Sequence, residues 1–411
     1  MALIVQKFGG TSVANIERIR NVANKVKKEL DRGNQVAVVV SAMAGVTNQL
    51  VDYVSELSPL YTPESWSEYD QVVSTGEQVT SGLLALCLQE MGIPARSFCG
   101  WQVVLKTDNV HGKARINDID PSAIHSAFAH GKVAVVTGFQ GIAEDGRIAT
   151  LGRGGSDTSA VALAAALGAD RCDIYTDVDG VYTTDPRIVS GARKLNKITY
   201  EEMLELASQG AKVLQTRSVE MAMRHNVIVQ VLSSFNDTPG TLLVKEEEIM
   251  EQKRVTGIAF SRDDARVTLT DLPDKPGVAA GVFGPLAEAN INVDMIVQNI
   301  DERGQVTDMT FTVGKQDLEK TRQALKASHG VLQYKDMSTD DKVTKISVVG
   351  IGMRSYAGVA QEMFRTLAEK GINILVISTS EIKISVLIDE EYTELAVRAL
   401  HHTFDLEDAA Q

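Results

Sequence analysis

Cysteine is scarce, and the chain lacks several patterns that would have narrowed its chemistry at once. Its three cysteines among 411 residues, Cys87, Cys99 and Cys172, are widely spaced and form no C-x-x-C pair. They read as buried reduced thiols, without a metal or redox role. No apolar run approaches the roughly 18 to 20 residues of a membrane span. The amino terminus opens directly into MALIVQKF, with no basic region ahead of a long apolar stretch, so the cytoplasm is the expected compartment. Positive charge is also short: 41 Lys and Arg against 54 Asp and Glu give a net −13. That balance argues against nucleic acid or an anionic membrane as partner, though a local basic pocket remains compatible with it. The seven histidines, at 111, 125, 130, 225, 329, 401 and 402, are scattered as surface or core residues would be. No Ser/His/Asp or Cys/His arrangement stands out, and no metal-ligating set is expected. Neither G-x-x-x-x-G-K-[ST] nor G-x-G-x-x-G after a strand occurs.

What is present is a pair of glycine-rich stretches, KFGGTS at Lys7 to Ser12 and GRGGSDTS at Gly152 to Ser159. Each sets paired glycines after an apolar run and follows them with Ser or Thr. Glycines let backbone approach phosphate oxygens, and a helix starting there points free N–H groups at an anion. The hydroxyl residues suit its cap. The pattern predicts a phosphate site of a design other than the Walker loop.

A chain this long exceeds one hydrophobic core, so two or three domains are expected. Residues 2–6 and 35–41 read as buried strands. Between them Asn15 to Leu30 places Ile16, Ile19, Val22, Val26 and Leu30 on one helical face, and Gly33 follows as a stop. The alternation recurs at 132–139, Ser156 to Leu167, 172–177 and 227–234. It predicts an α/β domain with a parallel sheet over 1–245, with both glycine motifs at carboxyl ends of strands. The charge run 245–254 reads as a solvated linker helix.

Beyond it an internal repeat appears. From Gly277 to Ile296, 10 of 20 positions match the chain 81 residues later, including Phe283/Phe364, Leu286/Leu367 and Asn292/Asn373. Two copies mean two similar small domains, each reading strand, helix, strand, strand, helix, as in a ferredoxin-like α+β unit. The first copy gains a fourth strand at Val331 to Asp336. The second ends after its helix at Glu391 to Phe404, one strand short. The strand-like segment 254–260 is inferred to complete it, so that 261–338 is an insertion within a second domain formed by 254–260 and 339–411, with 246–253 as linker.

Seven motifs in order, KFGGTSVAN, SAMAGVTN, STGE, GRGGSDTSA, TDVDGVYTTDPR, GAKVL and STSEIKIS, are similar to those of aspartate kinases. That family has the amino-acid-kinase fold, a parallel-sheet αβα sandwich, followed by two ferredoxin-like ACT domains. The resemblance implies transfer of the γ-phosphoryl of ATP to the side-chain carboxylate of L-aspartate, opening the pathway to lysine, threonine and methionine. Phosphoryl transfer asks mainly for positioning and charge neutralisation, so no covalent nucleophile is needed.

Residue by residue, the resemblance implies Lys7 as a positive charge against the β- and γ-phosphates, with Gly9 and Gly10 as amide donors and Thr11 and Ser12 as hydroxyl donors. Asp157 orients the lysines, and Lys212 is the second phosphate lysine. Thr176, Asp177, Tyr182, Asp185 and Arg187 border the nucleotide; Asp179 stands where some relatives have proline, with little consequence expected. Arg153, with Gly154, takes the α-carboxylate of aspartate and Glu77 its ammonium, beside Ser41 and Thr47. Mg²⁺ comes with the nucleotide, held mostly by phosphate oxygens and water.

Lysine, threonine or both are implied as effectors at the ACT domains. Their contacts would be Asp274, Lys275, Pro276, Gly277, Val278, Ala279, Asn292, Asp294 and Gln298 in the first repeat, and Val359, Ala360 and Asn373 in the second. RSYAG (354–358) replaces DKPG there, so the two units need not bind alike. Self-association through ACT domains is implied, either as a homodimer or with a separately translated regulatory subunit starting near Met250. Two alternatives stay open: a non-catalytic amino-acid sensor with a decayed kinase domain, and a kinase of this fold acting on glutamate, acetylglutamate, carbamate or UMP.

Overall fold

The computed structural model describes all residues except Tyr61, Lys212, 250–253, 301–305 and 408–411. The chain forms two compact units. The first comprises Met1–Val181, Lys194–Ala207 and Lys212–Met250; the second comprises Tyr182–Arg193, Ser208–Ala211 and Glu251–Gln411.

The first unit is built on an eight-stranded sheet. Its order is Lys197–Thr199, Thr241–Val244, Val229–Ser233, Arg171–Thr176, Leu3–Phe8, Gln35–Val40, Val133–Thr137, Ala95–Phe98. The six strands from Val229–Ser233 to Ala95–Phe98 run parallel. Gln35–Val40 and Val133–Thr137 are almost entirely Val and Ala, the composition of strands covered on both faces; Val36 to Val40 are all buried. The strand Leu3–Phe8 lies between a branch built from earlier chain and one built from later chain. The order therefore switches direction there, which is where open parallel sheets bind ligands.

The helix Ile16–Asp31 starts where the Asn15 side chain accepts the Arg18 amide (3.0 Å). It stops at Gly33, whose φ of +81° ends the turn. Ile19, Val22, Ala23 and Val26 are buried along it, but Ile16 is 48% exposed: in the first turn it precedes the stripe that meets the sheet. The helix Gly155–Leu167 is buried nearly all round, as its Ala-rich sequence allows. A small four-stranded sheet, Ile116–Ile119, Leu105–Thr107, Gln140–Ile142 and Ile148–Thr150, closes around Ala114, Ala143, Ala149 and Leu151.

The second unit contains two antiparallel four-stranded sheets. One runs Val293–Ile300, Val306–Gly314, Asp264–Pro273, Asp336–Asp340. The other runs Gly257–Ser261, Val343–Val349, Lys383–Asp389, Val376–Thr379, so the segment before the first repeat pairs with the second. The repeat is visible in the packing: Leu286 and Leu367 are both fully buried, each in its own core. The helices Val278–Glu288 and Val359–Glu369 both start after a glycine in the left-handed region, Gly277 at φ +95° and Gly358 at +99°.

Two expectations are corrected. Val331 does not begin a strand: His329–Leu332 is a helical turn, and the strand is Asp336–Asp340. A short apolar run such as VLQY fits either form, and here Leu332 turns into the core while Val331 is 78% exposed. The described part of 245–254 holds only a 3-10 turn, Glu246–Glu248, since three adjacent glutamates with none buried gain nothing that would extend a helix.

Candidate active site

The Lys7 ammonium lies 2.5 Å from Oδ1 of Asp157, a charge-assisted contact, and the two side chains expose only 10% and 11% of their surface. Lys7 reaches the pair from the carboxyl end of Leu3–Phe8. Asp157 comes from the first turn of Gly155–Leu167, where free N–H groups and the helix dipole favour anions. Gly154 precedes that turn at φ +71°, packed so closely on Gln215 that a Cβ would lie 1.9 Å from its Cγ. Gly9 lies next to the Lys7 ammonium, since a Cβ there would sit 3.3 Å from it. Its amide donates to the Tyr175 carbonyl at 3.3 Å, a long bond. Ser12 is turned inward onto the Ser234 hydroxyl, whereas Thr11 is exposed.

Contact continues from this pair to a buried carboxylate. A Cβ on Gly10 would come within 3.1 Å of the Ala42 carbonyl, and the Ala42 amide donates to Glu77 Oε1 at 3.0 Å. Glu77 stands in the first turn of Thr75–Glu90 and is 3% exposed, with Oε2 unpartnered. Burial raises its pKa to about 7 against the opposing pull of the Ala42 and Glu77 amides. Ser41 and Thr47 flank this region, half-buried. Arg153 is exposed and makes no ion pair among the described residues. It lies near Tyr69, whose phenol is pushed up by burial and by Asp70 while Arg153 opposes the shift.

Sequence reasoning missed what holds the Arg153 loop. Asp70, fully buried on the helix Pro63–Val73, accepts from His111 Nδ1 (2.8 Å), from the Gly112 amide (3.0 and 3.1 Å) and from the Thr150 hydroxyl. Arg217 joins the same two segments, donating to the carbonyls of Leu151 (2.6 Å) and Ala114 (3.0 Å). Phe139 was also missed; it holds φ +68°, costly for a bulky residue, beside Gly155. No local signal marks these residues, because each acts across a large sequence separation.

On the proposed nucleotide side, the Thr176 hydroxyl donates to Asp177 at 3.1 Å, and Asp179 pairs with Lys194 at 3.2 Å. Tyr182, Asp185 and Arg187 belong instead to the second compact unit. There Tyr182 packs on the core of the second repeat, and Asp185 accepts from the Arg187 side chain at 2.7 Å, which holds its pKa low. Lys212 lies outside the described residues.

In the first repeat, Asp274 to Ala279 lead into the helix Val278–Glu288, with Lys275 to Gly277 and Ala279 exposed; Asn292 and Gln298 are exposed beside it. Asp294 has both oxygens engaged, one by the Met295 amide and one by Lys345 at 2.8 Å. Burial pushes its pKa up, but the Lys345 charge and hydrogen bond outweigh that and hold it low. Lys345, itself buried, also lies 3.5 Å from Asp264. In the second repeat Val359 is buried, Ala360 half-buried and Asn373 exposed.

Residues 2–233 match the model of the amino acid kinase family, and 266–330 and 346–404 each match an ACT domain. An aspartate kinase of Pseudomonas putida is 55% identical over 412 residues, covering 100% of this chain and 99% of that protein. An aspartokinase of Mycolicibacterium smegmatis is 47% identical over 411 residues, covering 99% and 97%. Among solved structures, E. coli aspartokinase III in complex with aspartate and ADP (R-state) superposes with a TM-score of 0.82 at 29% identity, covering 98% of this chain and 99% of that one. The same enzyme in complex with lysine and aspartate (T-state) gives 0.77 at 28% identity, with the same coverage. A full-length match to aspartate kinases, on a parallel-sheet unit and two ACT-type sheets, is decisive: the chain belongs to the amino acid kinase family, among the aspartate kinases with tandem ACT domains.

Proposed function

We propose that this chain catalyses ATP-dependent phosphorylation of the side-chain carboxylate of L-aspartate to 4-phospho-L-aspartate, under feedback control by lysine, threonine or both. The observation that carries this reading is the buried Lys7–Asp157 pair at the start of a helix, on a chain 55% identical to an aspartate kinase. An oxygen of the aspartate carboxylate attacks the γ-phosphorus, the bond to the β,γ-bridging oxygen breaks, and ADP leaves with that electron pair. No proton need move, because the acceptor is already ionised at neutral pH.

Lys7 neutralises charge developing on the transferred group, and Asp157 holds it in place. Lys212 serves as the second phosphate lysine. Gly9, Gly10 and Thr11 line the phosphates, and Thr176, Asp177, Tyr182, Asp185 and Arg187 border the base and ribose. The Glu77 carboxylate receives the substrate ammonium on Oε2, which is otherwise buried without a partner. The unpaired Arg153 guanidinium, with Gly154, receives the α-carboxylate as a bidentate fork; Ser41 and Thr47 complete that side. Mg²⁺ enters on the nucleotide and neutralises its phosphates.

We divide the chain into a kinase domain, 1–245, a linker, 246–253, an ACT domain at 261–338 and a second ACT domain made of 254–260 and 339–411. Effectors occupy the ACT surfaces around Asp274 to Ala279, Asn292, Asp294 and Gln298, and around Val359, Ala360 and Asn373. The chain self-associates through these domains, in the cytoplasm. The aspartate and ADP in one state of the E. coli enzyme, and the lysine in the other, support both substrates and an inhibitory site. ATP turnover with aspartate against glutamate, then with lysine and threonine singly and together, tests the reading. Turnover confined to glutamate, or none at all, would overturn the acceptor assignment. A flat effector response would overturn the control.

A further inference from the structure

The most heavily bonded buried side chain near the acceptor site is one that the phosphoryl-transfer chemistry does not itself use. Asp70 gathers donors from two separate segments: His111 and the Gly112 amide from the 108–114 loop, and the Thr150 hydroxyl from the strand Ile148–Thr150. Thr150 is three residues before Arg153. Gly112 in turn abuts the loop directly, since a Cβ on Gly152 would lie 3.2 Å from the Gly112 carbonyl. Gly112 is also packed directly on Trp66 of Pro63–Val73, which occupies the space a Cβ would need, 2.7 Å away. Arg217 also ties Leu151 and Ala114 together through their carbonyls. Arg153 thus stands on a short loop whose base is held by both Asp70 and Arg217, while its own side chain is exposed and makes no ion pair among the described residues.

We propose that Asp70 is a positioning residue for aspartate: through Gly112 and Thr150 it fixes the 150–155 loop so that the Arg153 guanidinium meets the substrate carboxylate in a bidentate pose. This rests on the reading of Arg153 given above. An unconstrained loop would have to be ordered by the substrate at each binding event, which weakens binding without altering the phosphate side. The ordering acts on acceptor affinity, whereas loss of a purely structural bond lowers stability alone.

The test is steady-state kinetics on the full-length enzyme with aspartate and ATP varied separately, alongside thermal denaturation. Asp70→Ala is expected to raise the aspartate KM by about tenfold or more, with the ATP KM within about twofold. Asp70→Asn keeps one acceptor oxygen, and the histidine tautomer and the threonine hydroxyl can adapt to its amide, so it restores most of the affinity. Thr150→Val removes a single bond and gives a smaller shift of the same kind, which keeps the test available where Asp70→Ala does not fold. Aspartate and ATP KM moving together, or both staying constant while Tm falls, overturns the proposal. Arg153→Ala separates the two levels. If it leaves the aspartate KM unchanged, the reading of Arg153 itself is wrong. If it raises that KM while the Asp70 and Thr150 variants do not, only the positioning role is lost.

Discussion

At the scale of single residues, three buried ionisable groups, Lys7, Asp157 and Glu77, carry the predictions for the proposed site. Lys7 and Asp157 are buried together, so removing either leaves the other uncompensated. Lys7→Ala is expected to lower kcat by at least about a hundredfold, the loss of an electrostatic contact to the transferring group. A kcat near that of the wild type would remove Lys7 from the mechanism. Glu77 makes the site pH-dependent. Its pKa is raised from 4.5 to about 7 by burial, so the folded state holds a proton that the unfolded chain has released. The stability this confers is complete below 4.5 and is lost as pH rises to about 7, on the order of 3 kcal/mol in all. Binding of an ammonium needs the opposite, ionised form. Aspartate kcat/KM is therefore expected to fall about tenfold per pH unit below about 7, where the free enzyme carries the proton. Glu77→Gln should abolish that limb, weaken aspartate, and make the protein more stable than wild type at pH 8. Equal stability of the two at pH 8 would show that the buried carboxylate carries no such cost.

At the scale of elements, the turn 152–155 decides whether the helix Gly155–Leu167 can present its amino terminus to the site. Gly152 and Gly154 both hold left-handed φ, +76° and +71°. Gly154→Ala is expected to cost about 1 kcal/mol for the backbone alone. It costs more for the overlap with Gln215, whose own Cβ would lie 2.6 Å from the new methyl. Shortening the neighbour with Gln215→Ala should therefore not rescue it, as urea denaturation of the single and double variants would show. The paired glycines and the helix after them were visible in sequence, but the strand directly ahead of them, Ile148–Thr150, was not, and it belongs to the small sheet rather than to the parallel one. The helix Ile16–Asp31 was likewise foreseeable from its stripe and stop, but Ile16 was not, because the first turn lies before the surface it would bury against.

At the scale of the molecule, segments of the kinase sequence are built into the unit that contains the ACT domains. Thr183 bonds His401 at 2.8 Å and receives the Ile258 amide at 2.7 Å, while Val189 and Ala192 sit in the core of the second repeat. Gln209 accepts from the Ser347 hydroxyl at 3.1 Å, just before the Lys212 segment. A chain ended at residue 250 would leave these groups without partners and expose that apolar surface. It is expected to lose at least about tenfold in kcat/KM for ATP, since Tyr182 to Arg187 would lack their support. Residues 251–411 supplied in trans should restore part of it. Unchanged ATP kinetics and Tm in the shortened chain would show that the kinase sequence folds independently of its tail.

Sequence by itself determined the parts that depend on local pattern. Apolar strands alternating with helices specified a parallel sheet; glycines after apolar runs marked turns that lead into helical segments; a repeat at constant offset announced two like domains. Each is written in neighbouring residues, because periodicity and turn conformation are short-range properties. Tertiary structure alone decided the rest. It buried Glu77 and so shifted its charge, gave Asp294 a partner in Lys345, set Asp70 beneath the Arg153 loop, and assigned 182–193 to the second unit. These depend on which distant segments meet and on how much water they exclude, and desolvation and pairing are properties of the packed interior that no local pattern encodes.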